Sequence, residues 1–270
     1  MTAIKVSIIT TTYNDAHLHL FEQIRSTINS FHLATPGNMF SQIIVDDGSF
    51  CPQSLKSLEY IKCSNIPGLT VIHTDNQGLP AARNFALHQA DASHIIALDA
   101  DDIIHPYFIR EILQCIESST DVLVSTDWAM FGSRHRRFRV RQATPYNIRF
   151  ANYLPVSTAF PLKCFPQNQY ASEMTDGFED WEFWIRLICS GYQHRNIPRC
   201  LFFHREHLNN MTHQSLRKSK DIYDHIKSRN SVLYDSFVNS TLLSKYPPSL
   251  FDIVKQSFSP RIRNLISTIR

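Results

Sequence analysis

"SHIIALDADD", residues 93–102, is the stretch on which the fold turns: four apolar residues run straight into three carboxylates. A short apolar run of this kind reads as a strand buried on both faces, and its abrupt acidic end reads as a strand leaving the core for a ligand site. The same pattern occurs twice upstream. "VSIITTTYN" (6–14) and "SQIIVDDGS" (41–49) each pass from β-branched residues to polar ones, and "LTVIHTDN" (69–76) supplies a further strand. Between them, Leu20, Ile24, Ile28 and Phe31 recur at helical spacing, and 52–62 and "LPAARNFALHQA" (79–90) read as helices. Strand and helix in alternation predict an α/β fold with an open, mostly parallel, Rossmann-like central sheet flanked by helices. Ligands of such sheets bind at the carboxyl ends of the strands.

Further along, a helix is expected from Pro106 to about Ser118, a strand at "DVLVSTD", a helix at "EDWEFWIRLICSG" ended by Gly191, and a strand at "RNIPRCLFFHRE". Residues 128–170 are irregular and rich in aromatics, Pro and Arg. From about 213 the chain reads as a helical C-terminal extension reaching 270.

Composition narrows the function classes. The chain has 270 residues, is 43% hydrophobic and carries a formal charge of +3, which gives no general argument for nucleic acid. Six scattered cysteines without a C-x-x-C pair read as reduced thiols of a cytoplasmic protein. No segment approaches the apolar length of a membrane span, and no secretory signal is expected.

The acidic clusters carry the chemistry. A parallel sheet would bring Asp46-Asp47 and Asp99-Ala100-Asp101-Asp102 to one edge, where carboxylates repel unless a cation joins them. Hard oxygen ligands suit Mg2+ or Mn2+, which usually share their shell with phosphates. A nucleotide diphosphate is the expected ligand. "NQGLPAARNFAL" (76–87) holds neither a dinucleotide fingerprint nor a P-loop, but it puts Arg83 on the first turns of a helix, within reach of phosphate or base. Glu179 and Asp180 open a helix beside Trp181 and Trp184, where acidic residues suit the first turn of any helix.

Together, "VSIITTTYN", "IIVDDGS", "NQGLPAARNFAL", "ALDADD" and "GFEDWEFWIRL" (177–187), with a fainter match at "FFHREHLNNMT" (202–212), resemble the inverting nucleotide-sugar glycosyltransferases of family 2, which have the GT-A fold. The resemblance covers residues 4 to about 212. It implies a GT-A domain over 1–212, with a nucleotide-binding half at 1–105 and an acceptor half at 106–212, before the extension at 213–270. It also implies roles. Tyr13 would stack on the base and Asp47 hydrogen-bond it, with Thr11 close by and Asp46 bracing the loop. Arg83 would approach base or diphosphate, Asp99 the ribose, and Asp101 the metal, with Asp102 assisting either. Asp180 would be the catalytic base, with Glu179 the alternative or supporting carboxylate, and one of Trp181 and Trp184 would stack on an acceptor sugar. His207 would complete the metal shell, with His204 as its alternative, and Arg205 would contact phosphate. Lys163 stands where the family often has Arg, and would touch the diphosphate as a point charge.

The implied activity is transfer of a sugar from a nucleotide diphosphate sugar, most simply UDP-linked, to a glycan or lipid-linked acceptor. A noncatalytic glycan-binding subunit of the same fold is the competing class. A nucleotidyltransferase would carry a glycine- and lysine-rich loop where this chain has "TTTYND". "RHRRFRVR" (134–141) concentrates five Arg, read either as a site for an anionic glycan or lipid diphosphate or as a solvated loop. The tail "SFSPRIRNLISTIR" (257–270) sets apolar residues at helical spacing among Arg, for peripheral contact with the inner face of the cell membrane or for packing on the domain or a second subunit.

Overall fold

The computed structural model describes residues 6–34, 40–117, 119–207, 218–235 and 245. The tail at 257–270 therefore lies outside the described residues.

β1 (Val6–Thr12), β2 (Gln42–Asp47), β3 (Leu69–Thr74) and β4 (His94–Ala97) pair in parallel in the order β3-β2-β1-β4. An antiparallel edge strand, β8 (Phe160–Pro161), closes this sheet beside β4. The helices α1 (Leu20–His32), α2 (Pro52–Cys63) and α3 (Leu79–Gln89) connect the parallel strands. Strand alternation shows why the sequence runs are apolar without interruption. Ile9, Ile43, Val45, Ile95 and Ala97 join the core on one face, with α3, while Ile8, Ile96 and Leu98 join a second core on the other. Both faces are dry, so no polar phase appears.

One exception was not visible as a pattern. Thr10 is buried within β1, where its hydroxyl accepts from Gln23 Nε2 (3.1 Å) and Gln42 Nε2 (3.0 Å), and Gln42 also donates to Gln23 Oε1 (2.8 Å). These amides tie α1 and β2 to β1 inside the core.

A second sheet, in the order β5-β9-β6-β7, contains β5 (Ile103–Ile104), β6 (Val122–Gly132), β7 (Arg136–Phe138) and β9 (Gln193–Glu206). β6 and β9 run parallel; a bridge from Val124 to Ala159 connects β6 with the chain entering β8. α4 (Phe108–Ile116) buries Phe108, Ile109, Ile112 and Leu113 against the second core, and α5 (Glu179–Cys189) lies in the first.

α6 (Ser219–Arg229) is the described helix of the stretch read as a helical C-terminal extension, and it packs on the main domain. Its Ile222, Tyr223 and Ile226 are buried in the same core as α5, and Tyr223 stacks on Trp181 with ring centroids 5.8 Å apart. The buried Glu182 of α5 accepts from Asn230 (3.2 Å) and Arg229 (3.4 Å), as well as from Arg186. A buried carboxylate needs such partners, so the end of α6 is part of what makes α5 stable.

Because Ile226 is fully buried in this shared core, Ile226→Ala should lower the unfolding free energy by about 2–5 kcal/mol, in one cooperative transition on urea denaturation. A separate early transition would instead mean that α6 is an independent appendage.

Candidate active site

The carboxyl ends of β1, β2 and β4 meet at one edge of the first sheet, and the chain beyond each end is held by its own side chains. Past β1, Asn14 adopts a left-handed conformation (φ 60°), and its Oδ1 accepts from the backbone N–H of Phe50 and Cys51, both at 2.8 Å. This pins the loop after β2 against the end of β1 and sets the Phe50 ring edge-on to Tyr13, centroids 6.1 Å apart. Tyr13 is 45% exposed, an open aromatic face at the strand ends. Thr11 is buried within β1.

Past β2, Asp46 accepts from the Ser49 hydroxyl and from His73 Nδ1 (2.9 Å), which is the loop-bracing role expected of it. Asp47 braces too. Its two oxygens accept from the backbone N–H of Gln77 (2.9 Å) and Gly78 (2.8 Å), tying the entrance of α3 to the end of β2. Gly48 between these loops is required: at φ 75°, a Cβ would lie 2.6 Å from Asn76 N.

Past β4, the three carboxylates part company. Asp99 meets Arg83, whose Nη2 donates at 2.7 Å. Asp101 is half-buried with His207 Nε2 at 3.1 Å from its Oδ2. Asp102 is fully buried and accepts from the backbone N–H of Arg205 (2.8 Å) and from His204 Nδ1 (3.0 Å). Burial would lower the His204 pKa, but the Asp102 carboxylate outweighs it and raises the imidazole to about 9. Burial in turn pushes the Asp102 carboxyl up, against the hydrogen bonds from His204 and the Arg205 N–H that favour its ionised form, and Asp102 is spent on holding β9. Burial, then the charges of Asp102 and Asp99, push the Asp101 carboxyl well above its ordinary range. The turn after β4 therefore concentrates negative charge.

The donor set fits a hard divalent ion. Among the described residues no three His, Cys, Asp or Glu side chains converge as metal ligands. Asp101 and His207 would be the two protein ligands, leaving the other positions to oxygen atoms of phosphate or water, as Mg2+ and Mn2+ commonly allow.

Arg205 Nε donates to the Asp101 carbonyl (2.9 Å), and its Nη2 pairs with Glu22 (2.5 Å). It props the acidic turn from below, with its guanidinium over the Phe131 ring. Arg83 is the centre of the site. It is 2% exposed, and besides Asp99 it donates through Nη1 to Glu179. Burial alone would weaken its charged form, but Asp99 and Glu179 more than restore it. Arg83 was expected to approach base or diphosphate; in this structure both of its arms hold carboxylates. Glu179 is therefore the partner of Arg83, and the neighbouring Asp180 is left as the less committed carboxylate.

Asp180 accepts from its neighbour Trp181 N–H (2.7 Å) and from Asn152 Nδ2 (3.3 Å). Its position depends on the turn before α5, where Gly177 (φ 98°) and Phe178 (φ 62°) are both left-handed. For Phe this costs on the order of 1–2 kcal/mol, strain stored at the entrance of the helix that carries the acidic pair. Burial, then the Glu179 charge, raises the Asp180 carboxyl to about 7, against the opposing effects of Arg83 and the two hydrogen bonds.

Three expected site residues are elsewhere. Trp181 and Trp184 are 3% and 0% exposed, and Trp181 Nε1 donates to the Ile148 carbonyl (2.6 Å), so both are core residues and neither offers a face to an acceptor sugar. Helical spacing placed them together, but on the inward side. Lys163 follows β8, which pairs with the amino end of β4 at His94, and forms an ion pair with Asp121. That is the opposite end of the sheet from the carboxylates, so Lys163 does not serve a diphosphate there. Asn14, Asn152 and Phe178 were missed. Only Asn14, directly after an exposed strand-end Tyr, had a local signal, since Asn is among the residues that tolerate φ > 0.

The parallel sheet, with acidic strand ends that Arg83 ties to the acidic start of α5, has the GT-A fold. The family model for "Glycosyl transferase family 2" matches residues 7–170, and the chain belongs to that family. Over 212 residues it is 26% identical to the uncharacterized glycosyltransferase MJ1057 of Methanocaldococcus jannaschii, covering 74% of this chain and 70% of that one. It is 23% identical over 186 residues to the amylovoran biosynthesis glycosyltransferase AmsE of Erwinia amylovora, covering 67% and 69%. Among solved structures, S. aureus TarS residues 1–349 in complex with UDP-GlcNAc superposes with a TM-score of 0.65 at 18% identity, over 91% of this chain and 76% of that chain. Of another TarS crystal structure, the chain spans 48%.

The raised Asp180 carboxyl has a consequence for stability. Its native pKa lies above the unfolded value, so ionising it opposes folding; the penalty grows from about pH 4 to about pH 7 and is constant above. Asp180→Asn should therefore be more stable than wild type at pH 8, by roughly 1–4 kcal/mol, with the gap closing towards pH 4. Urea melts at the two pH values measure it; equal stability at pH 8 would contradict the burial assigned to this carboxylate.

Proposed function

We propose that this enzyme transfers a sugar with inversion from a nucleotide diphosphate sugar, UDP-linked, to a hydroxyl of a glycan or lipid-linked glycan in surface polysaccharide synthesis, with Mg2+ or Mn2+ as cofactor. The observation that carries the reading is the Asp99–Arg83–Glu179 bridge. It ties the α5 acidic pair to the strand-end carboxylates, which supports a donor lying along the strand ends with its anomeric carbon towards Asp180. The UDP-GlcNAc bound by TarS and the polysaccharide named for AmsE support the donor and product classes.

In this mechanism Tyr13 stacks on the base, and Asp99, with one oxygen held by Arg83, accepts from a ribose hydroxyl with the other. Asp101 and His207 would hold the cation. When bound, the cation supplies positive charge to the departing diphosphate. Asp180 takes the proton of the acceptor hydroxyl as its oxygen attacks the anomeric carbon from the face opposite the diphosphate. A single displacement inverts configuration. A carboxyl raised to about 7 is a stronger base than an ordinary Asp, at the expense of being protonated in mild acid.

Two measurements test the reading. Calorimetric titration with UDP, GDP and dTDP, each with and without Mn2+, should show metal-dependent UDP binding that Asp101→Ala abolishes and Asp180→Asn retains. Donor turnover should fall by about 10²–10⁴ in Asp180→Asn. The acid limb of wild-type kcat/KM should lie near pH 7. If Asp180→Asn retains turnover while Glu179→Gln loses it with its fold intact, the base is Glu179 instead.

A further inference from the structure

The reading above assigns nothing to the β6–β7 hairpin, where Arg134, Arg136, Arg137 and Arg139 are all exposed. Their guanidinium groups form no ion pair with a described residue, although Arg136 lies over the Phe138 ring at 5.3 Å. The nearby acid, Asp127, has Oδ1 engaged by Val140 N–H and Asn196 Nδ2, both at 2.9 Å. Four unmatched cations within six residues repel one another, and guanidinium is the side chain best matched to phosphate through paired N–H donors.

The hairpin is built, not loose. Ser133 N–H (2.9 Å) and Ser133 Oγ (3.0 Å) both donate to the Glu206 carbonyl, fixing the turn to the end of β9. Gly132 is required there, because a Cβ would lie 2.6 Å from that same carbonyl. Trp128 stacks on Phe138 at 3.9 Å, stiffening the two strands.

It also leads to the site on both sides. Met130 is in register with Arg136 on one flank and with His204 on the other, so Arg136 is two strand spacings, about 10 Å, from the partner of Asp102. On the return, Arg141 lies over the Tyr153 ring, next to Asn152, which contacts Asp180.

We propose that this hairpin is the docking surface for a phosphate-bearing glycan acceptor, with Arg134, Arg136, Arg137 and Arg139 binding its phosphates so that its terminal hydroxyl reaches Asp180. The inference rests on the glycosyl-transfer reading and specifies its acceptor. A glycan fits better than a membrane surface, because no large apolar side chain is exposed between residues 128 and 142 to enter a bilayer beside the arginines.

The test uses fluorescence anisotropy with labelled dextran phosphate, neutral dextran and phosphatidylglycerol vesicles as probes. Wild type is compared with the fourfold variant Arg134→Gln, Arg136→Gln, Arg137→Gln, Arg139→Gln, and with a charge-matched control, Arg25→Gln, Lys56→Gln, Lys62→Gln, Arg110→Gln. Melting curves confirm folding, and single-arginine variants replace the fourfold one if it fails to fold. The hairpin variant should lose affinity for dextran phosphate on the order of tenfold or more, with a shallower salt dependence, while the control loses at most about twofold. Equal loss in both, or in neither, overturns the proposal, as does arginine-dependent binding of vesicles without binding of dextran phosphate. Mn2+-dependent UDP titration of both variants separates the two readings: UDP binding without phosphate-glycan binding sinks only the hairpin, whereas no UDP binding by wild type sinks the donor site.

Discussion

A guanidinium sealed inside the protein is the constraint on which the site depends. Arg83 cannot be buried alone, because moving an unpaired charge out of water costs several kcal/mol. Its two partners come from far apart in the chain, Asp99 at the end of β4 and Glu179 at the start of α5. Satisfying Arg83 thus forces the nucleotide-side strands and the acidic helix into one arrangement. The left-handed Gly177-Phe178 turn is stable only because such partners over-determine it.

Around this bridge, the carboxylates divide the work according to what each already holds. Asp46 and Asp47 fasten loops, Asp102 is bound by His204 and the Arg205 N–H, and Glu179 is bound by Arg83. Asp101 and Asp180 remain, each destabilised as an anion by burial and by neighbouring charge. In the proposed mechanism a cation would relieve one and a proton the other, so that similar environments would serve two different roles.

Membership of glycosyl transferase family 2 agrees with this arrangement, but its matched region ends at residue 170, before α5 and the end of β9. The acidic pair and His207 lie beyond it, where the motifs around them and their geometry carry the reading. α6 lies further on, in the stretch read as a helical extension, and packs Tyr223 against Trp181. Trp181, Trp184 and Lys163 show where reading by pattern fails. A tryptophan three residues from another is equally suited to a sugar face and to a core, and only the position of α5 between the sheet and α6 chooses. Lys163 followed a strand, but β8 runs antiparallel, which carries its end to the wrong edge of the sheet.

What the amino-acid sequence determined by itself is the parallel sheet and the acidic strand ends, because uninterrupted apolar runs such as Ile95–Leu98 have no stable solution except burial on both faces. The carboxylates that follow must then emerge at one edge. The tertiary structure alone decided which carboxylates are free. That depends on partners distant in the chain, 96 residues from Arg83 to Glu179 and 102 from Asp102 to His204, and no local pattern of residues encodes a pairing at such separation.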